Sequence, residues 1–321
     1  MKIAVFRALQ LGDLLCALPA IACIKKNFPS ATLYVIGLPH MEALMRRYAF
    51  VDGLIVFPGY LGLPEQPEPT CEKQEEFIAT MCEMSFDVLF QMHGDGTLVN
   101  DLLKRWKAKR LIGFCPQAYM AGEDWMVYPE GLHEVERHLQ LLDYVGLIVS
   151  KEDRHMLYPL SKEDWDSFEN LKVSRGLSHY VIVHVGSRHT ARQWPLENFR
   201  ILTQFLQQKG WQIVLTGSMA ESELVHKMEQ MLDREVINLA GQTDLGQLGC
   251  LVRNAGIVLC NCTGISHVAA ALETKSIVIS LDGEPERWGP INKELHYTYD
   301  GRLVLDMDKI KHDINQLLSA N

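Results

Sequence analysis

Apolar and polar positions along the chain change rhythm about every ten residues. Runs such as Ile3-Ala4-Val5-Phe6, Val181-Ile182-Val183, Ile257-Val258-Leu259-Cys260 and Ile277-Val278-Ile279 are short, continuous and rich in β-branched side chains. Such runs mark strands buried on both faces. Between them lie longer segments with apolar residues three and four apart, the period of an amphipathic helix. In the first half this pattern predicts strands over 2–7, 32–37, 53–57, 87–91 and 110–114, with helices over 14–26, 42–48, 97–106 and 133–145. In the second half strands over 180–185, 212–216, 236–239, 257–260 and 276–281 alternate with helices over 195–208, 221–232, 245–254 and 265–273. A last helix is predicted over 308–318. Pro195 suits a first helical turn, and Gly146 and Gly210 suit helix ends. Alternating strands and helices predict parallel sheets joined by helical crossovers. Four prolines (Pro58, Pro64, Pro67, Pro69) mark a surface loop over 58–70. The charged stretch over roughly 150–178 interrupts the alternation and reads as a linker. The chain is thus expected to form two α/β domains, 1–160 and 175–321.

Composition narrows the function classes. Of 321 residues 47% are apolar and 22% charged, and the net charge is −9. That balance argues against general nucleic-acid binding, which needs a basic footprint. A local exception is Lys104-Arg105-Trp106-Lys107-Ala108-Lys109-Arg110, a basic island suited to an acidic glycolipid acceptor or to solvent. No apolar run reaches the roughly 18 residues that cross a bilayer. The first residues enter a strand with no cleavable-signal pattern, so a cytoplasmic protein is expected. The eight cysteines show no C-x-x-C spacing, which reads as reduced, buried thiols.

Candidate chemistry gathers where strands give way to helices, the edge at which open α/β sheets bind ligands. After the first strand come Gly12 and Asp13; the acid is either a general base or a helix cap. In the second half, Gly186, Ser187 and Thr190 offer small donors, and Arg192 offers a fixed cationic fork suited to a pyrophosphate. Glu221 follows the turn Thr216-Gly217-Ser218, placed either to accept from ribose hydroxyls or to sit as a helix N-terminal charge. Most informative is Asn261-Cys262-Thr263-Gly264-Ile265-Ser266-His267, a strand running into an Ala-rich helix. A helix N-terminus there binds anions through unpaired N–H groups and the macrodipole; the plainer reading is a βα turn capped by Thr263.

Other patterns are absent or fail. There is no G-x-G-x-x-G, P-loop or G-x-S-x-G. His133 and His138 are five apart and diverge around a helix, unlike zinc-binding H-E-x-x-H. Cys260-Asn261-Cys262 lacks a second ligand pair. His93-Gly94-Asp95-Gly96 reads as a polar turn.

In order along the chain, Gly12-Asp13, Leu18-Pro19, Phe86-Asp87-Val88, Ile112-Gly113-Phe114, His138-Leu139-Gln140-Leu141-Leu142, Arg192-Gln193-Trp194-Pro195, Thr216-Gly217 with Glu221, Leu239-Ala240-Gly241-Gln242-Thr243-Asp244-Leu245, the 261–272 segment and Trp288-Gly289-Pro290 resemble glycosyltransferase family 9, the bacterial heptosyltransferases. The resemblance covers nearly the whole chain. It implies a GT-B architecture: two Rossmann-like domains with parallel sheets facing across a cleft, acceptor held by the first and nucleotide-sugar by the second. It also implies that the last helix packs back on the first domain. The implied reaction is an inverting, metal-independent transfer from an ADP-sugar, with no cofactor, to a lipopolysaccharide-core or other glycan acceptor. Asp13 would be the base. Ser187, Arg192, Thr263, Gly264 and His267 would hold the diphosphate, Glu221 and Gln242 the nucleoside, and Gly12, Lys104 and Arg105 the acceptor. The expected location is cytoplasmic and peripheral at the inner membrane, with the 58–70 loop (Phe57, Tyr60, Leu61, Leu63) as a candidate lipid contact. Two other readings stay open: a catalytically silent sugar-nucleotide-binding protein and a GT-B-type nucleotide-sugar epimerase. The family shows Asn-Asp-Thr-Gly where this chain has Asn261-Cys262-Thr263-Gly264, which puts donor-sugar recognition in question, since a thiol is a poor substitute for a carboxylate.

Overall fold

The computed structural model describes residues 1–319 and divides into two compact units, Met1–Leu157 and the residues from Tyr158 onward. The first holds strands β1 (Lys2–Phe6), β2 (Thr32–Gly37), β3 (Gly53–Val56), β4 (Val88–Gln91), β5 (Arg110–Cys115) and β6 (Trp125–Val127). Its helices are α1 (Leu11–Asn27), α2 (Glu42–Met45), α3 (Cys71–Met84), α4 (Asn100–Lys104) and α5 (Glu134–Tyr144). The second holds β7 (Tyr180–His184), β8 (Gln212–Leu215), β9 (Ile237–Asn238), β10 (Val258–Asn261), β11 (Ser276–Ser280) and β12 (His296–Asp300). Its helices are α6 (Lys162–Arg175), α7 (Leu196–Gln208), α8 (Ser222–Gln230), α9 (Leu245–Arg253), α10 (Gly264–Ala271), α11 (Pro285–Trp288) and α12 (Met307–Ser319).

Both sheets have six strands, every ladder in them is parallel, and their orders are β3-β2-β1-β4-β5-β6 and β9-β8-β7-β10-β11-β12. Each is the Rossmann order, whose direction of winding reverses between the two central strands. The sequence dictates which strands lie centrally. Ile3, Ala4, Val5 and Phe6 of β1 are wholly buried, as are Val258, Leu259 and Cys260 of β10. The outer strands β3 and β12 are only half-buried.

Some elements depart from the sequence expectation. The stretch read as a linker contains the 14-residue helix α6, opened by a Ser161–Asp164 capping box and closed by Gly176 in the left-handed conformation. Its side chains are mostly exposed, which hides the helical period. Helix α3 and strands β6 and β12 are additions to the predicted set. Helix α12 buries Ile310, Ile314 and Leu317 in the core of the second unit, with Phe199, Leu202 and Leu206 of α7. This apolar face lies within the core of its own unit.

Candidate functional site

In the first unit, Asp13 lies in the first turn of α1, at the carboxyl edge of the sheet. The N-cap is Gln10, so Asp13 is not the cap that the plainer reading made it. Its side chain is 26% exposed, while its neighbours are dry. Arg7, at the end of β1, is buried and donates from Nε to the Asp13 carbonyl at 3.2 Å. The same guanidinium donates from Nη1 to the Met92 carbonyl and from Nη2 to Oε1 of Glu134 at 3.0 Å. Glu134, also buried, pairs with Arg137, whose guanidinium stacks 4.4 Å over the Tyr128 ring. Burial, with Arg7 adding its repulsion, holds His93 neutral, its pKa lowered to about 3. Burial likewise lowers His138 to about 4, with Arg7 in support. His93 stacks on Phe6, the rings 5.0 Å apart. Glu134 and His138 are no part of a metal motif; Glu134 joins two buried arginines.

Gly12 is buried in α1 beside Asp13. Lys104 and Arg105 do not converge with them. They end α4 and lead into β5, so they occupy the amino edge of the sheet, opposite Asp13. Lys104 is paired with Asp101 at 2.8 Å and Arg105 with Glu75 at 2.7 Å, while Lys109 and Arg110 meet Asp87 and Asp124. Four of the island's five cations are therefore paired within its own unit. In the adjoining loop Phe57 and Leu63 point into the core, and Leu61 is the strongly exposed apolar side chain.

In the second unit the carboxyl edges of β7, β8 and β10 bring the other candidates together. Asn261, the last residue of β10, is fully buried and works as a pin. Its Oδ1 accepts from the Trp194 amide at 3.0 Å, and its Nδ2 donates to the Val185 carbonyl at 2.8 Å. Both ends of the loop that carries Ser187 and Arg192 are tied down in this way. Ser187 is buried, and Arg192 ends a short 3-10 turn and is exposed. Glu221 packs over Gly186, where an added Cβ would meet its carboxylate oxygen at 2.2 Å. Its Oε2 accepts from the Ser218 amide at 2.7 Å and hydroxyl at 2.8 Å, so the helix-terminal role anticipated for it is also real. His184 bonds Thr216 through Nδ1 at 3.0 Å and is kept neutral by burial.

Thr263 is the N-cap of α10, yet its side chain makes no capping bond. The Ser266 amide bonds the Thr263 carbonyl at 3.0 Å, the amides of Gly264 and Ile265 precede the helical ladder, and β10 delivers them to the same edge as the Arg192 loop. His267 is buried one turn in, its ring edge-to-face with Trp288 at 6.3 Å. Cys262 is a protonated thiol, raised to about 12 by burial and then by Asp282, with Ser266 and Arg192 acting to lower it. Gln242 follows Gly241, whose amide bonds the Gly217 carbonyl at 2.8 Å in the turn after β8. The Gln242 side-chain amide donates to the Asn238 carbonyl at 2.9 Å and accepts from Arg175. Among the described residues no three His, Cys, Asp or Glu side chains are arranged to hold a metal ion.

Sequence reasoning gave no role to Arg7, to Glu134 or to the Asn261 side chain. Arg7 and Asn261 are polar residues closing otherwise apolar runs, and that mismatch was the available signal.

Two Rossmann sheets of one order, each carrying its candidate groups at the carboxyl edge, define a GT-B glycosyltransferase. A solved family 9 glycosyltransferase from Veillonella parvula is similar with a TM-score of 0.82 at 14% identity, over 100% of this chain and 97% of its own. Escherichia coli ADP-heptose LPS heptosyltransferase II gives 0.76 at 20% identity, over 99% and 98%. In sequence, the chain is 25% identical over 292 residues to lipopolysaccharide heptosyltransferase 3 of E. coli strain K12, covering 87% of this chain and 82% of that protein. The model of glycosyltransferase family 9 (heptosyltransferase) matches residues 76–302, and the chain belongs to that family.

Proposed function

We propose that the protein transfers heptose from ADP-heptose to a lipopolysaccharide-core acceptor, with inversion and without a metal or other cofactor. The observation that carries this reading is the carboxyl edge of the second sheet. The open amides of α10, the Arg192 loop and Glu221 gather there, a donor-rich anion site beside a hydroxyl acceptor. In this reading the diphosphate lies against Thr263, Gly264 and Arg192, with Ser187 and His267 lining the site. The ribose bonds Glu221. Charge developing on the departing diphosphate is met by preorganised dipoles and one guanidinium.

Asp13 takes the proton of the attacking acceptor hydroxyl as that oxygen bonds the anomeric carbon and the carbon–phosphate oxygen bond breaks. Such base catalysis contributes roughly 10²–10⁴ in rate. Gly12 lets the acceptor approach the turn. The geometry gives no support to an acceptor role for Lys104 and Arg105 or a nucleoside role for Gln242. No helix among the described residues is long and apolar enough to cross a membrane; the reading places the enzyme in the cytoplasm at the inner membrane, with Leu61 as its lipid-facing residue.

The test is a transfer assay with ADP-heptose, GDP-sugars and UDP-sugars against heptose-deficient core acceptor, run with and without chelator, the product anomer being read by NMR. ADP-heptose alone should turn over, the chelator should leave the rate unchanged, and Asp13→Ala should abolish transfer with ADP binding intact. Turnover with a UDP-sugar alone would overturn the donor assignment. ADP-heptose binding without transfer to any core acceptor would favour the silent binding-protein reading.

A further inference from the structure

The end of β1 carries a buried cation beside the candidate base. Arg7 is 1% exposed, its Nη2 lies 3.6 Å from Oδ1 of Asp13, and its Nε holds the Asp13 carbonyl. The guanidinium has no freedom to turn away, because Met92 and Glu134 take its other donors. Three elements are thereby tied to one residue: β1 itself, the end of β4 through Met92, and α5 through Glu134. Among the described residues, the groups linked to Asp13 through Arg7 form one cluster. Arg7 and Arg137 are positive, Glu134 is negative and 1% exposed, and His93 and His138 are neutral. The cluster is balanced when Asp13 is ionised and carries one uncompensated buried cation when it is not. A buried unpaired charge is costly, so the scaffold selects the carboxylate form and turns Oδ1 toward the fork.

We propose that Arg7 is the positioning residue of the transfer reaction, fixing the orientation of the Asp13 carboxylate and keeping it ionised before the acceptor hydroxyl delivers its proton. The inference rests on the reading of Asp13 as the base. Arg7 exchanges no proton and touches no substrate. Its effect is on how often the carboxylate is both charged and correctly turned.

The test uses the full-length protein with ADP-heptose and core acceptor. Three variants serve: Arg7→Lys, Arg7→Gln combined with Glu134→Gln, and Asp13→Asn. Arg7→Lys keeps the charge and loses the fork; kcat should fall on the order of 10²-fold, the scale of a 1 Å misplacement, with acceptor KM little changed. The double variant removes the cation beside Oδ1 of Asp13 together with its carboxylate partner, and Arg137 keeps the Pro129 carbonyl and the Tyr128 ring as partners. The acid limb of its kcat/KM profile should move up by about 1 pH unit or more, the scale of losing an opposite charge at this range. Circular dichroism and the thermal unfolding midpoint confirm that each variant is folded, and ADP binding by calorimetry should stay within about threefold of wild type.

A structural role alone would lower the melting temperature without moving the acid limb. Wild-type kcat and an unmoved limb in both Arg7 variants, with Asp13→Asn inactive, would overturn the inference and leave the base assignment standing. An active Asp13→Asn would instead remove the base assignment. Should the double variant fail to fold, Arg7→Lys decides: wild-type kcat there overturns the proposal, as does a kcat loss matched by a lowered melting temperature, and a large kcat loss with melting temperature and acceptor KM close to wild type supports it.

Discussion

Glu221 fills the space a side chain on Gly186 would need: a methyl group there would stand 2.2 Å from Oε1. The contact joins the turn after β7 to the turn after β8, and it needs glycine for want of room. Gly186→Ala should therefore push Glu221 off its place, weakening ADP binding by about tenfold, or about 1.4 kcal/mol, with an overpacking cost of roughly 1–3 kcal/mol in stability. Calorimetric titration with ADP measures the first and denaturant unfolding the second; wild-type affinity would show that Glu221 does not bind the nucleoside from this position.

Asn261 makes the neighbouring prediction. One buried amide serves the Trp194 amide and the Val185 carbonyl. Asn261→Leu is similar in size and strands both backbone groups, at about 1–3 kcal/mol for each buried group left unpaired. The unfolding midpoint should drop, and ADP affinity should fall with it as the loop bearing Arg192 loosens. A midpoint equal to wild type would mean the loop is held by something else.

Cys262 should behave as an inert residue. Burial, with Asp282 in support, raises its thiol to about 12, and the nucleophilic thiolate is then scarce at neutral pH. Iodoacetamide at pH 8 should label exposed Cys71 and spare Cys262 until the chain is unfolded. Cys262→Ala should leave ADP affinity within about threefold of wild type, because in the proposed reading the diphosphate is met at that turn by backbone N–H groups. Mass spectrometry of the labelled peptides and an ADP titration check the two statements.

Stability should fall on the acid side of neutrality. Burial holds His93 at about 3 and His138 and His296 at about 4. All three would take up protons near pH 6.5 when unfolded. Between pH 6.5 and 4 the unfolded chain binds protons that the native one refuses, so stability declines as pH drops. Above 6.5 these groups add no slope. Each fully buried ring accounts for about 2 kcal/mol between pH 6.5 and 5. The slope of denaturant midpoint against pH should be shallower in His296→Asn, whose ring in the wild type meets Ser276 at 2.8 Å. An unchanged slope would mean His296 is protonated in the native state.

Strands central to a parallel sheet were legible because burial on both faces writes itself as an unbroken apolar run, as in Ile277-Val278-Ile279. Helix α1 was legible for a similar reason, though its start was read late, at residue 14 where the structure begins at Leu11. Helices lying on the surface were not. Helix α3 buries only Ile78 and Met81, and α6 only Asp164 and Phe168, too few positions to show a period. Their caps were in plain view all the same, Thr70 for α3 and Ser161 with Asp164 for α6. Asp13, Glu221 and the 261–267 turn could be picked out because a strand-to-helix junction fixes which edge a residue faces. The Arg7–Glu134 pair could not, since 127 residues separate its members and only the folded sheet makes them neighbours. Of the basic island's ion pairs, Lys104 with Asp101 lies within one helical turn and is legible in sequence, whereas Arg105 with Glu75, Lys109 with Asp87 and Arg110 with Asp124 meet only through the fold.

The repeated strand order has an evolutionary consequence. Each sheet closes its own hydrophobic core and presents its own reversal point. In the proposed reading, insertions and substitutions in the turns of the first sheet retune which acceptor is taken, and turns in the second drift toward a different donor under separate selection. A chain built this way can change one substrate at a time, which suits enzymes that lengthen a branched glycan one residue after another.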